Sequence, residues 1–265
     1  MPTSRFAGFY RIIRIITVQQ IRSLSTYVFL GCALLMALSA VLTTVYRQEI
    51  MSALVDPTLA STLSDQMPAA SWPESYTAWV KNLNQILVLG GVIVVSISAQ
   101  RDFRSGSLAF LLSRFLSRPA FALAHFLVST ITFLIIFLIG AFLAGVITTL
   151  FFDNSPLLPI MGATMLWGFI FSLISAAIYC ATGIKRSLGL NIITGLGLYF
   201  LFQLGGMWTW AKTHTPFGLS DIAHHLATDT TTDSSFLPIV SSLLLLVIFI
   251  FASLYSFSRA ELPLD

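Results

Sequence analysis

No Asp or Glu falls within the apolar core of any long hydrophobic run of this sequence. A charge at the bilayer centre costs roughly 2.5–3.5 kcal/mol even on the lenient insertion scale, so it is usually kept for proton or ion coupling. A proton-coupled transporter is therefore not expected. The sequence also lacks His-Glu-x-x-His, Gly-x-Ser-Gly and paired intramembrane acids. That removes the nucleophile, metal and dyad routes to intramembrane proteolysis. No phosphate-binding Gly-x-x-x-x-Gly-Lys-Ser/Thr occurs, because none of Lys81, Lys185 and Lys212 follows a glycine. The chain is expected to be no enzyme and to bind no cofactor. If it transports, the energy comes from another polypeptide. Cysteine is scarce: Cys32 and Cys180 fall near the cytoplasmic ends of their runs and read as packing residues, not a disulfide. No cleavable signal peptide pattern is expected, since the first apolar run lies well inside the chain and is long enough to span.

Charge is scarce throughout. Only 9% of residues are charged, 56% are hydrophobic and the mean hydropathy is +0.87. A soluble domain carries about 25% charged residues, so the fold class is an all-α polytopic membrane protein. Six apolar runs predict spans at 27–46, 79–100, 121–150, 158–182, 188–210 and 236–257, within a transmembrane domain over 27–258. The third run exceeds one crossing, and the second starts weakly, at Lys81, Asn82, Asn84 and Gln85. Positive charges set the orientation. Arg5, Arg11, Arg14, Arg22, Arg101, Arg104, Arg114, Arg118, Lys185, Arg186 and Arg259 share one side; Arg47, Lys81 and Lys212 lie on the other. Both termini, including a short tail over 259–265, are expected in the cytoplasm of a cell whose plasma membrane holds the protein. The basic pI, about 9.0, then reflects the cytoplasmic leaflet, not nucleic acid.

Residues 1–26 predict a cytoplasmic amphipathic helix on the inner leaflet, with Phe6, Phe9, Ile13, Ile16 and Leu24 on one face and Arg11, Arg14 and Arg22 opposite. Gln20 interrupts its apolar face. Residues 47–78 and 211–235 predict outer loops, the second with a flexible end. A tight basic turn around Lys185–Arg186–Ser187 joins the fourth and fifth spans. Trp72, Trp79, Trp208 and Trp210 predict an outer aromatic belt. Small residues recur at four-residue spacing: Ser172, Ala176 and Cys180; Gly140 and Ala144; Ala141 and Gly145. Such spacing allows close helix approach.

Between the second and third spans lies QRDFRSGSLAFLLSRFLSRP, residues 100–119. As a helix over 106–118, Leu108, Leu111, Leu112, Phe115 and Leu116 form one stripe. Ser105 or Ser107 caps its start, Gly106 permits a sharp turn, and Pro119 marks its stop. Phe110 points away from the stripe, beside Ser107 and Arg114. An exposed aromatic among cations suits insertion into a partner's groove. The alternative is a helix that rests on the bilayer.

This segment resembles the loop between spans two and three of type 2 ATP-binding cassette (ABC) exporter permeases. Asp102, Gly106, Ser107, Leu108, Leu111, Leu112, Ser113, Arg114, Ser117 and Arg118 match that pattern in order. Phe115 stands where proline is usual, and Ala124-His125 where Gly-Lys is usual. The motif covers about a tenth of the chain; the six-span layout extends the resemblance over nearly all of it. The resemblance implies a half-transporter, paired with a second copy or a similar chain and served by a cytoplasmic ABC ATPase that binds ATP and Mg. It implies a coupling helix at about 103–118, with Asp102, Phe103, Arg104, Gly106, Ser107, Phe110, Arg114 and Arg118 meeting the ATPase. The cargo class would be a drug, antimicrobial peptide or lipid-like molecule.

Two polar sets remain. Asn82, Gln85, Asn191 and Gln203 lie within spans and either line a substrate pathway or bond neighbouring helices. Asp221, His224 and His225 lie in an outer loop, where a helix would put Asp221 and His225 one turn apart and His214 could join. Carboxylate and imidazole suit zinc or copper, but the spacing matches no strong signature. A different function follows from this loop: a non-transporting membrane scaffold, or a metal or cofactor maturation component.

Overall fold

The structure, a computed structural model, describes residues 3–54, 70–104, 118–228, 230 and 236–259. Among these residues there is no strand, and six helices are long and apolar enough to cross a membrane. Helix α1 (Thr3–Ile21) precedes the first span, α2 (Leu24–Val45), which a short α3 (Arg47–Leu54) follows. The second span is one rod: α4 (Trp72–Asn82), a π-turn at Leu83–Leu87, and α5 (Val88–Arg104). The third and fourth spans are α6 (Arg118–Phe151) and α7 (Leu157–Ile184), and the fifth is α8 (Leu188–Gly205). Then come α9 (Thr209–His214), a 3-10 turn at Pro216–Gly218, α10 (Leu219–Ala227) and the sixth span, α11 (Leu237–Arg259).

Three expectations need correction. The second span starts at Trp72, not at 79. Its polar start is tolerated because Ser75, Tyr76, Trp79 and Val80 are buried by other helices. Ser75 Oγ bonds Thr148 Oγ1 at 2.8 Å, and Tyr76 donates its hydroxyl to the Pro156 carbonyl at 2.9 Å. The fifth span stops at Gly205, not at 210, because Gly205 lies flush against the Phe217 ring and the chain turns through Gly206. Trp79 leaves the aromatic belt altogether: it is fully buried, donates Nε1–H to Thr164 Oγ1 at 3.0 Å, and sits in the notch left by Gly140.

Lipid tails are as apolar as leucine, so packing density and hydrogen bonds, not hydrophobic transfer, hold such helices together. Helix α7 is the central post; α6, α8, α10 and α11 all pack on it. At mid-bundle, Phe29, Phe133, Phe137 and Phe171 form an aromatic cluster, with ring centroids 4.9 Å apart for Phe29–Phe133 and 5.4 Å for Phe137–Phe171, both edge to face. Edge-to-face contacts of this kind add about 0.5–1.5 kcal/mol each. Gly91 makes the cluster possible, since a Cβ there would lie 2.6 Å from Phe171 Cε2. The small-residue spacing is used as expected: Gly145 meets Leu157, and Ser256 Oγ reaches the Cys180 carbonyl at 3.3 Å. Both cysteines are free; Cys32 is exposed, and so is no packing residue.

Helix α6 has 34 residues, which at 1.5 Å each is about 51 Å, against a hydrocarbon core of about 30 Å. An upright α6 would thus be longer than that core, and a tilted one could fit within more of it. Near its start, Phe121, Ala124 and Val128 pack with Ile12 and Ile16 of α1, flanked by Phe9 and Ile13. The inward face of α1 thus includes Ile12, which the helical wheel omitted. Leu24, expected on that face, begins α2 and is 77% exposed. Gln20 is buried because its Oε1 accepts from Ser98 Oγ at 3.0 Å.

Candidate functional site

At the arginine-rich end of the bundle, α1 touches both helices that flank the segment resembling a coupling helix. On one side, Gln20 bonds Ser98, and Arg101 Nη2 donates to Ser23 Oγ at 2.9 Å. On the other, Ile12 and Ile16 pack on the start of α6. The backbone of Asp102, Phe103 and Arg104 forms the last turn of α5, and Arg118 opens α6. Gly106, Ser107, Phe110 and Arg114 lie outside the described residues, as does the helix expected at 106–118. Burial lowers the Arg186 guanidinium from its ordinary value, and the like charge of Arg118 adds to this. The basic turn after α7 and the start of α6 therefore meet at the same end.

The four amides part company. Asn82 Nδ2 donates to the Met36 carbonyl at 2.9 Å and to Ser39 Oγ at 3.2 Å, tying α4 to α2. Gln203 pairs with Asn84 through both amide groups, while Gln85 is exposed. The π-turn explains the switch: its wider turn, closed by Val88 N–H to the Leu83 carbonyl, shifts which residue faces α8. Asn191 is fully buried, and neither side-chain amide atom has a partner. It lies one turn from Gly195, where a Cβ would meet Val92 Cγ1 at 2.6 Å. On the facing helix, Ser96, one turn from Val92, is also buried and its hydroxyl has no partner. An unsatisfied buried group costs roughly 1–3 kcal/mol, so polar groups kept along the α5–α8 seam mark it as the strongest pathway candidate. Asn82 belongs to the framework instead. Replacing it with leucine is expected to cost about 0.6–1.7 kcal/mol, read as a lower unfolding free energy in mixed micelles.

At the end opposite the arginine-rich one, α10 buries Leu219, Ala223 and Ala227 against the bundle, so residues 219–227 are docked, not a loop in solvent. Asp221 and His225 do come together, with Nε2 and Oδ2 3.8 Å apart. Lys212 Nζ already holds Asp221 Oδ1 at 2.9 Å. His224 and His225 stand 6.2 Å apart, centroid to centroid, and His214 stacks on Trp210 at 5.4 Å. Among the described residues no three His, Cys, Asp or Glu side chains are grouped to hold a metal.

Sequence reasoning missed Asn84 as the partner of Gln203, the role of Gln20, and the seam residue Ser96. Gln20 carried a signal, as a polar residue on an otherwise apolar face. Ser96 carried none, because serine is common in spans. With this geometry in hand, comparison with known proteins adds no family: no family model and no curated protein matches the chain.

Proposed function

We propose that the chain is the membrane-spanning permease subunit of an ATP-driven exporter of the type 2 ABC kind. It works beside a second copy or a similar chain, in the plasma membrane, with its arginine-rich end in the cytoplasm. A separate ATPase binds ATP and Mg, and the cargo is a drug, an antimicrobial peptide or a lipid-like molecule. The observation that carries this reading is the ordered match from Asp102 to Arg118, placed between two helices that α1 ties together. A push on residues 103–118 reaches α5 and α6 directly. It reaches α1 through Gln20, Ile12 and Ile16, and the start of α2 through Ser23, and from α5 it passes to the seam with α8. The metal-handling alternative is less well supported, because a cation on Asp221 would have to displace the Lys212 ammonium.

The test uses the tagged full chain expressed in its own cells. It is expected to co-purify with an ABC ATPase, and ATP-dependent export from inverted vesicles is expected to fall at least tenfold when residues 106–118 become a neutral Gly/Ser linker. Unchanged assembly and export with the linker would overturn the reading.

A further inference from the structure

Between the ends of α5 and the start of α8 lies a cleft of about 240 Å3, lined by Ile97, Gln100, Arg101 and Leu188. This is below the roughly 300–1,000 Å3 of pockets that enclose a drug-sized ligand, so it suits a head group and not a whole cargo molecule. Three features point to an anion. Gln100 is 95% buried, yet its Nε2 donor has no hydrogen-bond partner. Arg101 is exposed and gives one N–H to Ser23 Oγ, which leaves the rest of its fork of donors for a ligand. Helix α8 begins at Leu188, so the positive end of an 18-residue helix stands at the cleft wall. Among the described residues, no Asp or Glu lines the cleft.

The lining is also graded. Ile97 sits one turn deeper than Arg101 along α5 and is 41% exposed, on the apolar side of the cleft. Charge at the bundle end with apolar surface one turn below it matches an inner-leaflet lipid, whose phosphate lies above its chains.

We propose that this cleft binds the phosphate of an anionic phospholipid. Gln100 Nε2 and the Arg101 guanidinium donate to the phosphate oxygens, and the acyl chains leave past Ile97. The site goes beyond the exporter reading and stands without it, because it needs no ATPase.

The experiment uses the full chain alone, reconstituted in vesicles of equimolar dioleoyl-phosphatidylglycerol and dioleoyl-phosphatidylcholine. The lipid retained after extraction is counted by native mass spectrometry. Wild type is expected to keep phosphatidylglycerol in preference, and Gln100→Leu and Arg101→Gln each to lower that retention about tenfold, the worth of one charge-assisted bond. Arg259→Gln, on α11 and away from the cleft, is expected to leave it unchanged. Gln100→Leu removes an unsatisfied donor, so its lipid-free thermal midpoint serves as the folding control and should not fall. Equal retention by all variants overturns the site. A response to millimolar inorganic phosphate with no preference between the lipids overturns the lipid assignment in favour of a soluble anion.

Discussion

Replacing Trp79 with alanine is expected to lower the unfolding free energy by about 3–5 kcal/mol. The indole is fully buried, lies in the notch at Gly140, and donates to Thr164 Oγ1 at 3.0 Å. Thr164 keeps its own bond to the Ile160 carbonyl at 2.7 Å, so no lone donor is stranded there. The cost is lost contact and an unfilled space between α4, α6 and α7. In lipid this is a packing loss, since the helices gain little by hiding from hydrocarbon. Trp208, 67% exposed, is the control: its alanine variant is expected to change stability by under about 0.5 kcal/mol. Equilibrium unfolding in mixed micelles reads both. A Trp79 effect as small as that of Trp208 would sink the notch as described.

The second large effect is local. Ile12 and Ile16 are 5% and 4% exposed, and both pack on Phe121, Ala124 and Val128. Each isoleucine-to-alanine change in a packed core costs about 2 kcal/mol at the low end. The double variant is therefore expected to loosen α1 by about 4 kcal/mol, or nearly a thousandfold in its opening equilibrium. Hydrogen exchange of the α1 amides should rise by that factor, while the thermal midpoint of the six-span bundle holds. If the midpoint falls instead with unchanged α1 exchange, α1 is a load-sharing part of the bundle and not a separable brace. Under the exporter reading, the same variant should lose transport without losing the ATPase.

Much of this architecture was legible from apolar runs, because a continuous apolar run of about 20 residues can pair its own backbone within itself in hydrocarbon only as a helix. The runs at 121–150 and 158–182 match α6 and α7 to within a few residues. What escaped was burial by protein. Ser75, Tyr76 and Trp79 look interfacial to a hydropathy scale, which registers transfer to lipid and not contact with Thr148, Pro156 or Thr164. The stop at Gly205 had a visible sign in the Gly205–Gly206 pair, but its cause, the Phe217 ring, comes from further along the chain. Of the candidate pathway, Asn191 was legible as a polar residue in an apolar run. Its isolation from any partner was not, because partners are a property of the packed seam.

The wide turn at Leu83–Leu87 lets one long rod obey two masters. Taking a residue out of it would restore regular winding and swing everything above by about 100° relative to everything below. Trp79 would then leave its notch, or Gln100 and Ser96 would turn from the seam; both could not be kept. The half of that rod that carries Trp79 is thus keyed to the scaffold and the half that carries Gln100 to the arginine-rich face, and substitutions can retune either without re-aiming the other.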